Sequence, residues 1–134
     1  MKICVFGASS DTLAAEYYDA ARRLGELMAK GGHTLVYGGG SDGLMRACAD
    51  GVKSGGGAAI GVAPRMFDEG DFLRRDFGEL IFTETMAARK ELMRSLAEAF
   101  IALPGGTGTM DELFETLTLK QLGMQPKPIV SSRC

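Results

Sequence analysis

The chain has 134 residues, 46% of them hydrophobic and 24% charged, and a formal net charge of −2. That size and balance predict one globular domain with a real core. They exclude broad electrostatic binding to nucleic acid or to an anionic membrane, both of which require a basic face. No apolar run is long enough to span a bilayer, and Met1-Lys2 leads straight into a strand pattern with no signal peptide. Three cysteines, Cys4, Cys48 and Cys134, show no metal-like pairing, which predicts reduced thiols and a cytoplasmic location. Cys4 and Cys48 lie in apolar contexts and read as buried fillers.

In chain order, Lys2 to Phe6 is a short apolar strand, followed by a turn at Gly7-Ala8-Ser9-Ser10. From Leu13, apolar residues recur at Tyr17, Ala20, Ala21, Leu24, Leu27 and Met28, which is helical spacing with one buried face. Gly31-Gly32 ends that helix. Thr34 to Tyr37 is the next strand, and Gly38-Gly39-Gly40-Ser41-Asp42-Gly43 is its turn. A helix from about Leu44 to Ser54 turns Leu44, Met45, Cys48, Ala49 and Val52 inward. Ala58 to Val62 is a third strand. Ala63 to Glu79 reads as irregular, and a loop of that length in a compact domain is often functional. Leu80 to Thr83 is a fourth strand, and Met86 to Glu98 a helix with Leu92, Met93 and Leu96 as core contacts. Ala99 to Leu103 is a fifth strand. A glycine loop and a helix to about Leu122 follow, and Pro128-Ile129-Val130 begins one more strand.

Strand and helix alternate from end to end. That pattern predicts an α/β fold, a Rossmann-like doubly wound parallel sheet with helices on both faces. In such sheets ligands sit at the carboxyl ends of the strands. The glycine turns at Gly7, Gly38–Gly43 and Gly105–Gly108 all follow strands, so they share one rim. Gly38 to Gly43 satisfies G-x-G-x-x-G. The strand after it, however, ends in Ile60-Gly61-Val62-Ala63-Pro64, with no acid to hold a ribose, so a dinucleotide site is not expected. No glycine loop ends in Gly-Lys-Ser/Thr, which argues against magnesium-ATP chemistry. His33 is the sole histidine and reads as a surface residue at the wrong end of its strand for catalysis. With one histidine and scattered cysteines, no metal site is expected.

Pro104-Gly105-Gly106-Thr107-Gly108-Thr109-Met110-Asp111-Glu112 is the richest stretch. A glycine turn between strand and helix presents backbone N–H groups to phosphate or carboxylate. Two carboxylates beside an anion need another reason. Thr109 followed three residues later by Glu112 fits a capping box, and Asp111 suits the helix dipole. The alternative is that Glu112 does chemistry, but the spacing by itself favours the cap. Arg89-Lys90 reads either as a solvated charged pair or as phosphate-neutralising groups, and Thr83-Glu84-Thr85 as an ordinary helix start.

These residues resemble the Lonely Guy (LOG) family. Pro104 to Glu112 is similar to that family's P-G-G-x-G-T-x-x-E signature, and Arg89-Lys90 with Met93 to its R-K-x-x-M motif. Val36-Tyr37-Gly38-Gly39-Gly40-Ser41 with Gly43-Leu44-Met45, Gln121-Leu122-Gly123 and Lys127-Pro128 are similar too. The likeness covers nearly the whole chain. It implies hydrolysis of the N-glycosidic bond of a purine nucleoside 5′-monophosphate, AMP or a cytokinin nucleotide, giving free base and ribose 5-phosphate. The catalytic residues it implies are Glu112 and Arg89. Those it implies for substrate binding are Lys90, Gly105, Gly106, Thr107, Gly108, Thr109, Asp111 and Thr118, with Ser9, Gly39 and Gly40 from the other turns. It implies no cofactor and a homodimer. The family's alternative is a non-catalytic nucleotide- or molybdenum-cofactor-binding module of the same fold. Members carry Met-His-x-Arg-Lys where this chain has Met86-Ala87-Ala88-Arg89-Lys90. They also continue beyond the position of Cys134 with a strand and closing helices. Residues 1–134 are therefore expected to be a single nucleotide-binding domain, a fragment or a short form.

Overall fold

The computed structural model describes residues 1–7, 14–68, 73–103 and 127–131. Six strands and three helices are described: β1 (Lys2–Phe6), α1 (Ala15–Lys30), β2 (Thr34–Tyr37), α2 (Gly43–Ser54), β3 (Ala58–Pro64), β4 (Glu79–Thr83), α3 (Met86–Leu96), β5 (Ala99–Ala102) and β6 (Ile129–Ser131). They form one sheet in the order β4-β3-β2-β1-β5-β6, and every pair is parallel. The expected Rossmann-like doubly wound fold is therefore observed.

Period-2 alternation in the strands builds two cores. Ile3, Val5, Leu35, Tyr37 and Ala59 face α1 and α2, where they meet Ala21, Met28, Leu44, Cys48 and Val52. Cys4, Phe6, Val36, Val62 and Phe100 face α3, where they meet Met93 and Ala97. Phe6 and Phe100 stack with ring centroids 6.1 Å apart, which ties β1 to β5. Cys4 and Cys48 are fully buried, as expected of fillers, and burial pushes the Cys48 thiol up to about 12.

The α1 stripe departs from its expected composition. Ala21, Gly25 and Met28 are buried and Tyr17 and Leu24 half-buried, whereas Ala20 and Leu27 are exposed. The stripe centres on Gly25 because α1 crosses α2 backbone to backbone there. A Cβ on Gly25 would overlap the Cys48 carbonyl oxygen, and one on Gly51 would overlap that of Arg22.

The segment expected to be irregular is partly ordered. Pairing with β4 (Val62 with Ile81, Ala63 with Phe82, Pro64 with Thr83) carries β3 past Val62 to Pro64. A 3-10 turn at Arg65–Phe67 follows. Helix α3 stops at Leu96 rather than Glu98 because Ala97 turns to extended geometry and delivers the chain to β5. At its start, the Thr85 hydroxyl caps the helix by accepting from the Ala88 N–H at 3.0 Å. The predicted helix running to Leu122 lies outside the described residues. His33 is half-buried, not on the open surface, and its Nδ1 is enclosed without a hydrogen-bond partner among the described residues.

Candidate active site at the carboxyl rim

Parallel strands put all their carboxyl ends on one rim. The chain winds outward from β1 through β2 and β3 to β4, then returns to the other side of β1 as β5. The topological switch point, where ligands bind in such sheets, is thus between β1 and β5. Gly7 and Leu103 flank it. The Leu103 N–H donates to the Phe6 carbonyl at 2.7 Å, and a Cβ on Gly7 would lie 3.5 Å from that of Leu103. The strand preceding the Pro104–Glu112 loop therefore ends at the switch point. That loop itself, with Gly105, Gly106, Thr107, Gly108, Thr109, Asp111 and Glu112, lies outside the described residues, as do Ser9 and Thr118.

Arg89 is described, and it is not a solvated charge. It projects from the first turn of α3 and is half-buried against the sheet rim. Its Nε donates to the Val62 carbonyl at 2.8 Å and its Nη2 to the Gly38 carbonyl at 3.3 Å. The guanidinium therefore spans the carboxyl ends of β2 and β3. Lys90, next on the helix, is also half-buried. Gly39 has φ +75°, a conformation glycine adopts without strain. It lies close over β3, where a Cβ on Gly61 would sit 2.9 Å from the Gly39 Cα. Around Gly40 a Cβ would meet nothing within 4 Å among the described residues. Arg89, Gly39 and Gly40 are thus gathered at one place, from two separate parts of the chain.

The sequence reading missed the clamp behind this turn. Gly40 bridges to Leu73, and the Arg74 N–H donates to the Gly39 carbonyl at 2.7 Å. The Arg74 side chain is buried. It pairs with Asp50 and Asp76, donates to the Arg46 carbonyl and lies over the Phe77 ring. Segment 73–77 is thereby stapled to α2 and to the glycine turn. A cleft of about 500 Å³ opens beside it, lined by Ser41, Asp42, Arg46, Asp50, Arg74 and Arg75 among others. An Arg-Arg-Asp run is a weak signal by itself, since only the fold brings Asp50 across to it. Burial pushes the nearby Tyr37 phenol up to about 12, so it stays neutral.

The clamp makes stability depend on acid. Hydrogen bonds from Arg74 and Lys53 hold the Asp76 carboxyl down at about 2. A folded value below the ordinary 3.8 stabilises fully above that value, and the stabilisation is lost as pH falls through about 2. The melting temperature of the wild type is expected to fall more steeply between roughly pH 4 and pH 2 than that of Asp76→Asn. Parallel curves would show that the pairing contributes nothing.

No helix of the described residues is long and apolar enough to cross a membrane, and none of their His, Cys, Asp and Glu side chains gather in a metal-holding group of three. Residues 45–132 match a family described as "possible lysine decarboxylase". Over 128 residues the chain is 42% identical to cytokinin riboside 5′-monophosphate phosphoribohydrolase LOG2 of Arabidopsis thaliana, covering 96% of this chain and 60% of that protein. It is 43% identical to cytokinin riboside 5′-monophosphate phosphoribohydrolase of Mycobacterium tuberculosis, covering 96% of this chain and 68% of that one. Against the LOG protein of rice, Oryza sativa subsp. japonica, it spans 53% of the relative's length. Among solved structures, the Moco carrier protein of Chlamydomonas reinhardtii superimposes with a TM-score of 0.78 at 28% identity, covering 97% of this chain and 74% of that one. The long family match and the 43% identity to the Mycobacterium relative, of which the chain covers more than two thirds, agree with the rim geometry: the chain belongs to the LOG family.

Proposed function

We propose that this chain carries the active site of a phosphoribohydrolase acting on a purine nucleoside 5′-monophosphate, either AMP or a cytokinin nucleotide. One observation above all supports this reading: Arg89, the arginine of the family motif, lies across the carboxyl ends of β2 and β3 beside Gly39 and Gly40. A nucleotide seated at this rim has its phosphate near the glycine loop Gly105–Thr109 and the following helix N-terminus, an anion-binding arrangement. In this reading Thr107, Thr109 and Thr118 contribute hydroxyls, Ser9 and Asp111 belong to the substrate-binding set, and Lys90 adds charge.

The reaction breaks the C1′–N9 bond. Its transition state is oxocarbenium-like, with positive charge on the sugar. Glu112 stabilises that charge and takes a proton from the attacking water, whose oxygen bonds to C1′. The electron pair of the broken bond leaves with the base, which acquires a proton. Arg89 anchors the sugar-phosphate or the departing base. This reading includes a homodimer working in the cytoplasm, and sedimentation of the purified protein tests the dimer.

The alternative, a molybdenum-cofactor carrier of the same fold, has its support in the structural likeness to the Chlamydomonas protein. One experiment separates the two. The 134-residue protein is incubated with AMP and, separately, with isopentenyladenosine monophosphate, and released base is followed by chromatography. Free base and ribose 5-phosphate in equal amounts are expected. Tight binding of the molybdenum cofactor with no base released from either nucleotide would favour the carrier.

A further inference from the structure

Gly38 stands at the end of β2 with its carbonyl accepting from Arg89. Its α-carbon is the feature of interest. A Cβ built there would overlap Arg89 Nη2 and lie 3.2 Å from Cζ. Unlike Gly39, Gly38 has no positive φ, so its backbone does not require glycine. What requires glycine is the guanidinium, which occupies the volume of the missing side chain. The atoms that a Cβ would displace belong to the far end of a flexible side chain, not to backbone. In a Gly38→Ala protein, Arg89 yields and the sheet does not.

We infer that Gly38 is a positioning residue, whose absent side chain forms the seat that aims the Arg89 guanidinium into the rim. The inference rests on the phosphoribohydrolase reading for its effect on turnover, but the seating itself is a matter of geometry. The seat works with the Val62 carbonyl, which fixes Nε at 2.8 Å while Gly38 leaves room for Nη2. A methyl group there pushes Nη2 and Cζ aside, and because the guanidinium is planar and rigid it carries Nε off the Val62 carbonyl as well. A displacement of about 1 Å in a positioning group can cost on the order of 100-fold in rate.

Two measurements test the inference together. In the first, base release is compared for wild type, Gly38→Ala, Arg89→Ala and the double variant. Gly38→Ala is expected to lower kcat/KM about 100-fold. Because it acts through Arg89, the double variant is expected to be no slower than Arg89→Ala alone. Losses that multiply in the double variant would overturn the inference, since they would show Gly38 acting by another route. In the second, exchange of the Arg89 Nε–H proton is followed by NMR, the signal being assigned by its disappearance in Arg89→Lys. Slow exchange is expected in the wild type and fast exchange in Gly38→Ala. Equal protection in both would overturn the seating, whatever the activity. If the wild type releases no base, the functional reading fails while the proton exchange still decides the seating.

Discussion

Glu112→Gln is expected to fold and bind AMP like the wild type and to release base about 10²- to 10⁴-fold more slowly, the range associated with losing a positioned acid-base group. The glutamine variant is the informative one because of the capping box. A capping residue three positions after Thr109 can be glutamate or glutamine, so the amide preserves any structural contribution. It cannot take a proton from water, and it carries no charge to oppose an oxocarbenium ion. If Glu112 serves only as a cap, Glu112→Gln is close to wild type in both stability and turnover, and Glu112→Ala loses stability alone, typically about 1 kcal/mol. If it serves chemistry, both variants lose turnover. Binding adds a second signature. A carboxylate near a phosphate opposes it, so removing the charge leaves the AMP dissociation constant unchanged or lower. Loss of binding in parallel with turnover would argue against the catalytic role. Wild-type turnover in Glu112→Gln would exclude it.

Gly51→Ala is expected to lower the melting temperature by about 5–10 °C, corresponding to roughly 2 kcal/mol in a domain of this size. Two effects of opposite sign compete. Alanine is the better helix former by about 1 kcal/mol, so propensity by itself predicts a more stable protein. Against this, a Cβ at Gly51 overlaps the Arg22 carbonyl oxygen and comes within 3.0 Å of the Glu26 nitrogen. Both are backbone atoms of α1, so no rotamer change relieves the contact and the helices must separate. Separation loosens the contacts among Ala21, Met28, Cys48 and Val52. Overpacking of a close-packed interior costs about 1–3 kcal/mol and more where backbone must move, which outweighs the propensity gain. Thermal unfolding followed by circular dichroism reads the sign directly. A melting temperature at or above the wild type would mean the helix crossing has slack.

The elements of this fold are legible in its sequence because most of them carry a strong local signal. Each strand is a short apolar run, and α2 displays its buried face at Leu44, Met45, Cys48, Ala49 and Val52. Local signals mislead where the decisive contact is made by a residue without a side chain. On α1, counting apolar residues brings Leu27 inward, yet the crossing is set by Gly25, which hydrophobic periodicity does not register. The same limit applies at the rim. The family motif marks Arg89, but nothing local distinguishes a solvated arginine from one laid over two strand ends. That distinction needs the pairing of β2 with β3 and the placement of α3 above them. The Arg74 clamp is harder still, because Asp50 and Arg74 meet only after the chain has passed through β3. Where a segment such as 63–79 carries one partner of a contact and the other lies far away in sequence, pattern reading stops at naming a loop.

The strand order has a further consequence during synthesis on the ribosome. β1 is made first and sits near the middle of the sheet, pairing with β2 on one side and with β5 on the other. β2 follows it closely, but β5 emerges only after β3, β4 and α3 have been made. At translation speeds of about 5–20 residues per second, the second edge of β1 waits on the order of several seconds for its partner. During that interval Cys4 and Phe6 lack the Phe100 side of their core, and an apolar strand edge is open to the wrong chain. The parallel topology that gathers the rim thus leaves the nascent protein with its most central strand half-paired until the approach to the glycine loop has been translated.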